Sequence, residues 1–139
     1  MRMPTNISIN PKFMYLSAGG DTVAVPYPAH DSGIFETSTM VDSGRNTDGV
    51  LVSQVIGRPI AKQNMKWSVL PNEKWWEMNQ FWEEHFTFQC QYFDYNYGDW
   101  RNREFYCGDR KAKPFGVNSD TGIPLYMTNC ECNVIDTGR

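Results

Sequence analysis

The stretch from Phe86 to Gly108 constrains the fold more than any other part of the chain. It reads as two β-strands joined at Asn96-Tyr97-Gly98-Asp99, because the residues on either side of that turn follow the two-residue period of a pleated strand. A four-residue loop there pairs Tyr95 with Trp100. The register that follows sets Asp94 against Arg101, Tyr92 against Arg103, Cys90 against Phe105 and Phe88 against Cys107. This face is apolar at the open end and polar near the turn. The other face does the reverse, with Thr87, Gln89, Gln91 and Glu104 near the base and Phe93, Tyr95 and Trp100 near the tip. The expectation is a hairpin whose buried side switches partway along, so that its tip projects beyond its own core. An aromatic patch exposed there marks an interface, unless another part of the chain, such as the 109–124 loop, covers it.

The rest of the chain fits a β-rich surround. A length of 139 residues suits one domain, and its division is an N-terminal arm over 1–11 and a single β-rich domain over 12–139. Aromatics make up 14% of the residues, whereas leucine occurs only at Leu16, Leu51, Leu70 and Leu125. Aromatic side chains suit half-buried strands and leucine dominates helical cores, so the fold class is mainly β. Short strands are expected over Lys12–Leu16 and Thr22–Tyr27, around an Ala18-Gly19-Gly20-Asp21 turn. A segment over Ile34–Val41 follows, then a polar loop over 42–49 and a strand over Val50–Ile56. A longer strand runs from Ile60 to Leu70, with Met65, Trp67 and Val69 on its apolar face. A last strand spans Leu125–Ile135, with Cys130, Cys132 and Val134 on one face and Met127 on the other.

One helix is expected after Pro71. Asn72 suits the N-cap and Glu73 the first turn. Trp75, Met78 and Trp82 then recur at helical spacing, flanked by Trp76 and Phe81. The tryptophans are assigned to core packing rather than to a ligand, since each buried ring contributes about 2–3 kcal/mol to holding a lone helix on its sheet.

Several function classes are disfavoured. A net charge of −3 makes no basic face for nucleic acid. No apolar run reaches a membrane-spanning length. The residues at the start lack the apolar stretch of a secretory signal, so the chain is expected to be made in a cytosol. There Cys90, Cys107, Cys130 and Cys132 act as small apolar side chains; a four-thiolate zinc site would need two closely spaced pairs, and only Cys130 and Cys132 are close. The histidines are His30, in a turn, and His85, which suits a helix C-terminus. No nucleophile elbow, zinc-protease or phosphate-loop motif occurs. The chain is expected not to be an enzyme and to use no cofactor and no metal.

Certain landmarks resemble a known group. They are the run Ser43-Gly44-Arg45-Asn46-Thr47-Asp48-Gly49, strands ending Lys66-Trp67-Ser68-Val69-Leu70-Pro71, a Trp-rich helix, Phe105-Tyr106-Cys107-Gly108-Asp109-Arg110, and the closing Val134-Ile135-Asp136-Thr137-Gly138. Over about residues 33–139 the chain resembles small proteins of the tail and baseplate modules of phages and prophages of Gram-positive bacteria. The resemblance implies a virion structural protein of tail-tube type, a β-sandwich or barrel with one flanking helix and a projecting hairpin, assembled in the bacterial host cytoplasm. It implies partners that are copies of itself, in a ring that is commonly hexameric, and other tail or baseplate proteins, with neither a membrane nor sequence-specific nucleic acid. Under that expectation Phe93, Tyr95, Tyr97 and Trp100 contact a neighbouring subunit, and Ser43, Arg45 and Asn46 contact an adjacent ring or baseplate protein. A carbohydrate-binding module, with Tyr95, Tyr97 and Trp100 as a stacking platform, is the alternative from another class.

Overall fold

The computed structural model describes residues 13–29, 32–39, 41–45, 51–55 and 58–139, with backbone alone described for 41–45 and 51–55. The expected arm over 1–11 lies outside the described residues. Strand β1 (Met14–Ala18) turns through Gly19 and Gly20 into β2 (Asp21–Val25). Both glycines have positive φ, 55° and 88°, the left-handed pair that matches the twist of a tight hairpin. Next come β3 (Phe35–Ser38), β4 (Val41–Arg45), β5 (Leu51–Val55) and β6 (Ile60–Leu70). Helix α1 (Asn72–Glu84) precedes β7 (Thr87–Asp94), β8 (Asp99–Cys107), β9 (Lys111–Phe115) and β10 (Tyr126–Asp136). Among the described residues the protein is mainly β with a single helix, as its composition indicates.

The main sheet is eight-stranded and antiparallel, in the order β2-β1-β7-β8-β10-β6-β3, with β9 also on β10. Its ladder is open, ending at β2 and β3 among the described residues. The sheet nevertheless curls. After β2, the Ala29 N–H donates to the Lys66 carbonyl at 2.7 Å and the Trp67 indole donates to the Tyr27 carbonyl at 3.0 Å. These bonds bring the chain leaving one end of the strand order beside β6, near the other end. The inner face carries Leu16, Val25, Cys90, Phe105, Cys130 and Val134, all fully buried.

Four local expectations change. The expected loop over 42–49 begins as a strand, its residues after 45 lying outside the described ones: Ser43, Gly44 and Arg45 pair with Ser53, Val52 and Leu51, so β4 and β5 form a separate ribbon. A polar run shows no alternation of its own, and its pairing follows from its partner strand. The 109–124 loop likewise begins with a strand, because β9 pairs with the start of β10. Pro114 is admissible in β9, which has β10 on one side and no second partner among the described residues. Asn72 does not cap α1. Pro71 takes the N-cap position, and the buried Asn72 amide donates to the Pro124 carbonyl at 2.5 Å, tying the helix to the loop before β10.

The fourth change is in side-chain phase. Val69 is exposed and Leu70 buried, although Trp67 is also buried; in β10, Met127 and Cys130 are both buried. Leu70 pairs with Met127 and Trp67 with Cys130, so both strands shift phase together. Asn129, between them, has φ of 50°, which breaks the two-residue alternation of β10. On α1 the buried stripe is Trp75, Met78, Phe81 and Trp82, with Trp76 packed against its edge.

Candidate functional site

The β7–β8 hairpin forms, with its turn one residue earlier than the sequence suggests, which shifts the cross-strand register by two. Phe93 pairs with Trp100, Tyr92 with Arg101, Cys90 with Arg103 and Phe88 with Phe105. The loop is Tyr95 to Gly98, and Gly98 supplies the positive φ of 91° that its exit requires. Asp94 selects this turn. Its Oδ1 accepts the backbone N–H of Asn96 and of Tyr97, each at 3.0 Å, and its carbonyl accepts the N–H of Gly98 at 2.7 Å. An aspartate that folds back on the following amides is an Asx turn. A shift of two keeps every residue on its expected face and changes only its partner.

The expected switch of buried side does not occur. Phe88, Cys90, Tyr92 and Asp94 are all buried, so one face of β7 stays inward to the end of the strand. Asp94 is accommodated by the turn amides and by Arg101, whose Nε lies 3.5 Å from its carboxylate. The opposite face holds the aromatic group. Phe93 and Trp100 meet edge to face with centroids 5.7 Å apart, and Tyr95 tilts against Phe93 at 5.3 Å. Tyr95 also stacks on Phe13 at 6.5 Å and meets Phe35 edge-on at 5.9 Å. Asn96 donates to the Thr37 hydroxyl at 2.9 Å. The tip is therefore fastened to the residue before β1 and to β3, rather than to the 109–124 segment.

Phe93 and Trp100 are half-buried, while Tyr95 and Tyr97 are 52% and 65% exposed. One face of Tyr97 is covered by the Arg101 guanidinium, 3.6 Å from the ring centroid. Of the residues singled out from the sequence, Phe93, Tyr95, Tyr97 and Trp100 thus come together. Ser43 and Arg45 lie on the β4–β5 ribbon, and Asn46 lies outside the described residues.

Sequence reasoning missed two features. One is the polar ground behind the tip. Asp136, fully buried, takes Arg58 on both oxygens, the Gly138 N–H at 2.9 Å and the Ala61 N–H at 3.4 Å, while Arg103 stands 3.7 Å away. Burial works to raise its pKa, but the Arg58 and backbone hydrogen bonds outweigh it and hold the carboxyl below its ordinary value. Burial also pushes the Tyr92 hydroxyl up to about 12, against the opposing pull of Arg103. A cavity of about 250 Å³ opens beside the tip, lined in part by Thr37, Ile60, Asn96, Tyr97, Arg101 and Arg103. No sequence motif announces this cluster, because its members come from β6, β8, β10 and the segment before β6.

The other missed feature is the β9–β10 connection. Phe115, Val117, Ile123, Leu125 and Tyr126 are all large, apolar and exposed, within twelve residues of chain. Phe115 pairs with Tyr126 across the ladder, so the row begins on the hairpin itself. The density of apolar residues between the prolines of this segment was its available signal.

The cysteines do not converge. Cys90 is buried with its sulfur 3.7 Å from that of Met14, whereas Cys107 and Cys132 lie near one another on β8 and β10. The described group with metal-ligand spacing is Asp21, Glu84 and His85, within 4.8 Å of one another. His85 follows α1 and hydrogen-bonds Asp21 at 2.9 Å, joining the helix end to the β1–β2 turn. No protein-family model matches the chain, and no curated protein matches it significantly.

Proposed function

We propose that this chain is a structural subunit that assembles with copies of itself and with neighbouring proteins, as a virion component of a phage tail or baseplate. The observation that supports this reading best is the exposed row Phe115, Val117, Ile123, Leu125 and Tyr126. Scattered exposed apolar residues are ordinary, but five within twelve residues of one hairpin are costly to leave in water, and such a concentration is the usual mark of a protein contact. Burial of each such side chain contributes about 1.5–3 kcal/mol. The half-exposed aromatic tip and the terminal strands β2 and β3 add further contact surface. Ring assembly, with a tube, tube-initiator or hub-like role, follows the tail-tube resemblance. Contact through β9 would use side chains rather than strand addition, because Lys111, Lys113 and Pro114 on that strand oppose edge pairing.

Negative-stain imaging of the purified chain tests this reading. Rings or short tubes are expected for the native sequence, and dispersed particles for the double variant Phe115→Ser, Leu125→Ser. Both residues are about half-exposed, so the variant retains its fold, which a cooperative melt verifies. Dispersed particles from the native sequence at high concentration would overturn the proposal.

A further inference from the structure

The cavity beside the hairpin tip holds more hydrogen-bond donors than its own chain satisfies. Arg101 and Arg103 are two residues apart on β8, so their side chains leave the same face. Each is about three-quarters buried, with side-chain exposures of 22% and 25%. A guanidinium offers five N–H donors in a planar fork. Neither fork has a hydrogen-bond acceptor among the described residues, and the Arg101 Nε is fully buried in that state.

The two carboxylates nearby do not supply the missing acceptors. Asp136 already receives Arg58 and two backbone amides, which leaves Arg103 at 3.7 Å. Asp94, which also lines the cavity, spends Oδ1 on the turn amides of Asn96 and Tyr97, and its Oδ2 stands 3.5 Å from the Arg101 Nε without a hydrogen bond. Asp99, across the ladder from Asp94, does not line the cavity. Arg58, Arg101 and Arg103 face Asp94 and Asp136 here, and Arg103 stands farthest from its carboxylate. Buried donors without acceptors are costly, and charge-assisted pairing to a planar two-oxygen acceptor removes that cost most fully.

The geometry points to a binding site for one carboxylate in this cavity, held by Arg101 and Arg103. A planar two-oxygen anion matches two neighbouring forks. A volume of about 250 Å³ holds the carboxylate and a short aliphatic stem against Ile60. The site does not depend on the assembly reading, since both arginines belong to one chain.

The test is thermal unfolding of the full chain at constant ionic strength, with chloride replaced stepwise by acetate, by the side-chain carboxylate of N-acetylglutamic α-amide, or by inorganic phosphate. A saturable rise in melting temperature is expected with both carboxylates. A stronger response to the glutamyl compound assigns the site to a peptide side chain, and an equal response assigns it to free small carboxylates. Arg103→Gln is expected to weaken the effect about tenfold. Arg103→Lys, which keeps the charge and loses the fork, is expected to lose most of it while folding normally. No rise beyond chloride, an unchanged rise in both variants, or a response to phosphate alone overturns the carboxylate site.

Discussion

Arg58 holds both oxygens of the Asp136 carboxylate from a point 78 residues earlier in the chain. The pair joins the segment before β6 to the end of β10, and Asp136 is fully buried whereas Arg58 is partly exposed. The Arg139 carbonyl accepts a further bond from Arg58 at 2.7 Å, and the Thr137 hydroxyl donates to the Glu104 carboxylate at 3.0 Å. The last residues are thereby anchored to β8.

Replacing this carboxylate leaves Arg58 without its principal partner. Asp136→Asn is expected to destabilise the fold by about 3 kcal/mol, as breaking a buried ion pair does. The pH dependence has a definite sign. The folded carboxyl sits below its ordinary value, so its contribution is complete above the unfolded value of about 3.9 and is lost as pH falls through the folded value. Denaturant melts at a series of acidic pH values check this: the native chain loses stability over that window, and Asp136→Asn loses correspondingly less.

Asn129 is the described non-glycine residue with positive φ. Asparagine tolerates that conformation, glycine adopts it freely, and a β-branched residue resists it. Asn129→Gly is expected within about 0.5 kcal/mol of the native stability, and Asn129→Val about 1–2 kcal/mol below it. Denaturant midpoints of the two variants provide the comparison. Equal losses would separate the phase shift of β10 from this residue's backbone.

The four thiols divide by environment. Cys107 is partly exposed, and its pKa is lowered by a hydrogen bond from Cys132, with burial opposing and Arg110 assisting. Burial pushes Cys90 far up and Cys130 up to about 11. Because the thiolate is the reactive form, iodoacetamide is expected to label Cys107 first in the native chain, and Arg110→Ala to slow that labelling several-fold. Peptide mass spectrometry at short times reads the order; early labelling of Cys90 or Cys130 would contradict it.

The legible parts of this fold are those with strong local periodicity. The strand Ile60–Leu70 and the α1 stripe of Trp75, Met78 and Trp82 follow from spacing alone. The hairpin was legible in its faces and not in its register, because the turn is chosen by Asp94 bonding the next amides, an interaction that hydrophobic pattern does not encode. Val69 and Met127 departed from strict alternation because Asn129 resets the phase. At the candidate site, the aromatic residues were visible as a cluster, but their cover came from Phe13 and Phe35, distant in sequence. Arg58 and Asp136 met for the same nonlocal reason.

Sedimentation velocity of the full chain over a hundredfold concentration range tests the assembly account most directly. The account predicts a discrete oligomer, or growth to larger species with concentration, and a return to the monomer coefficient in the Phe115→Ser, Leu125→Ser variant. A single monomeric boundary at every concentration, identical in the native chain and the variant, would contradict it.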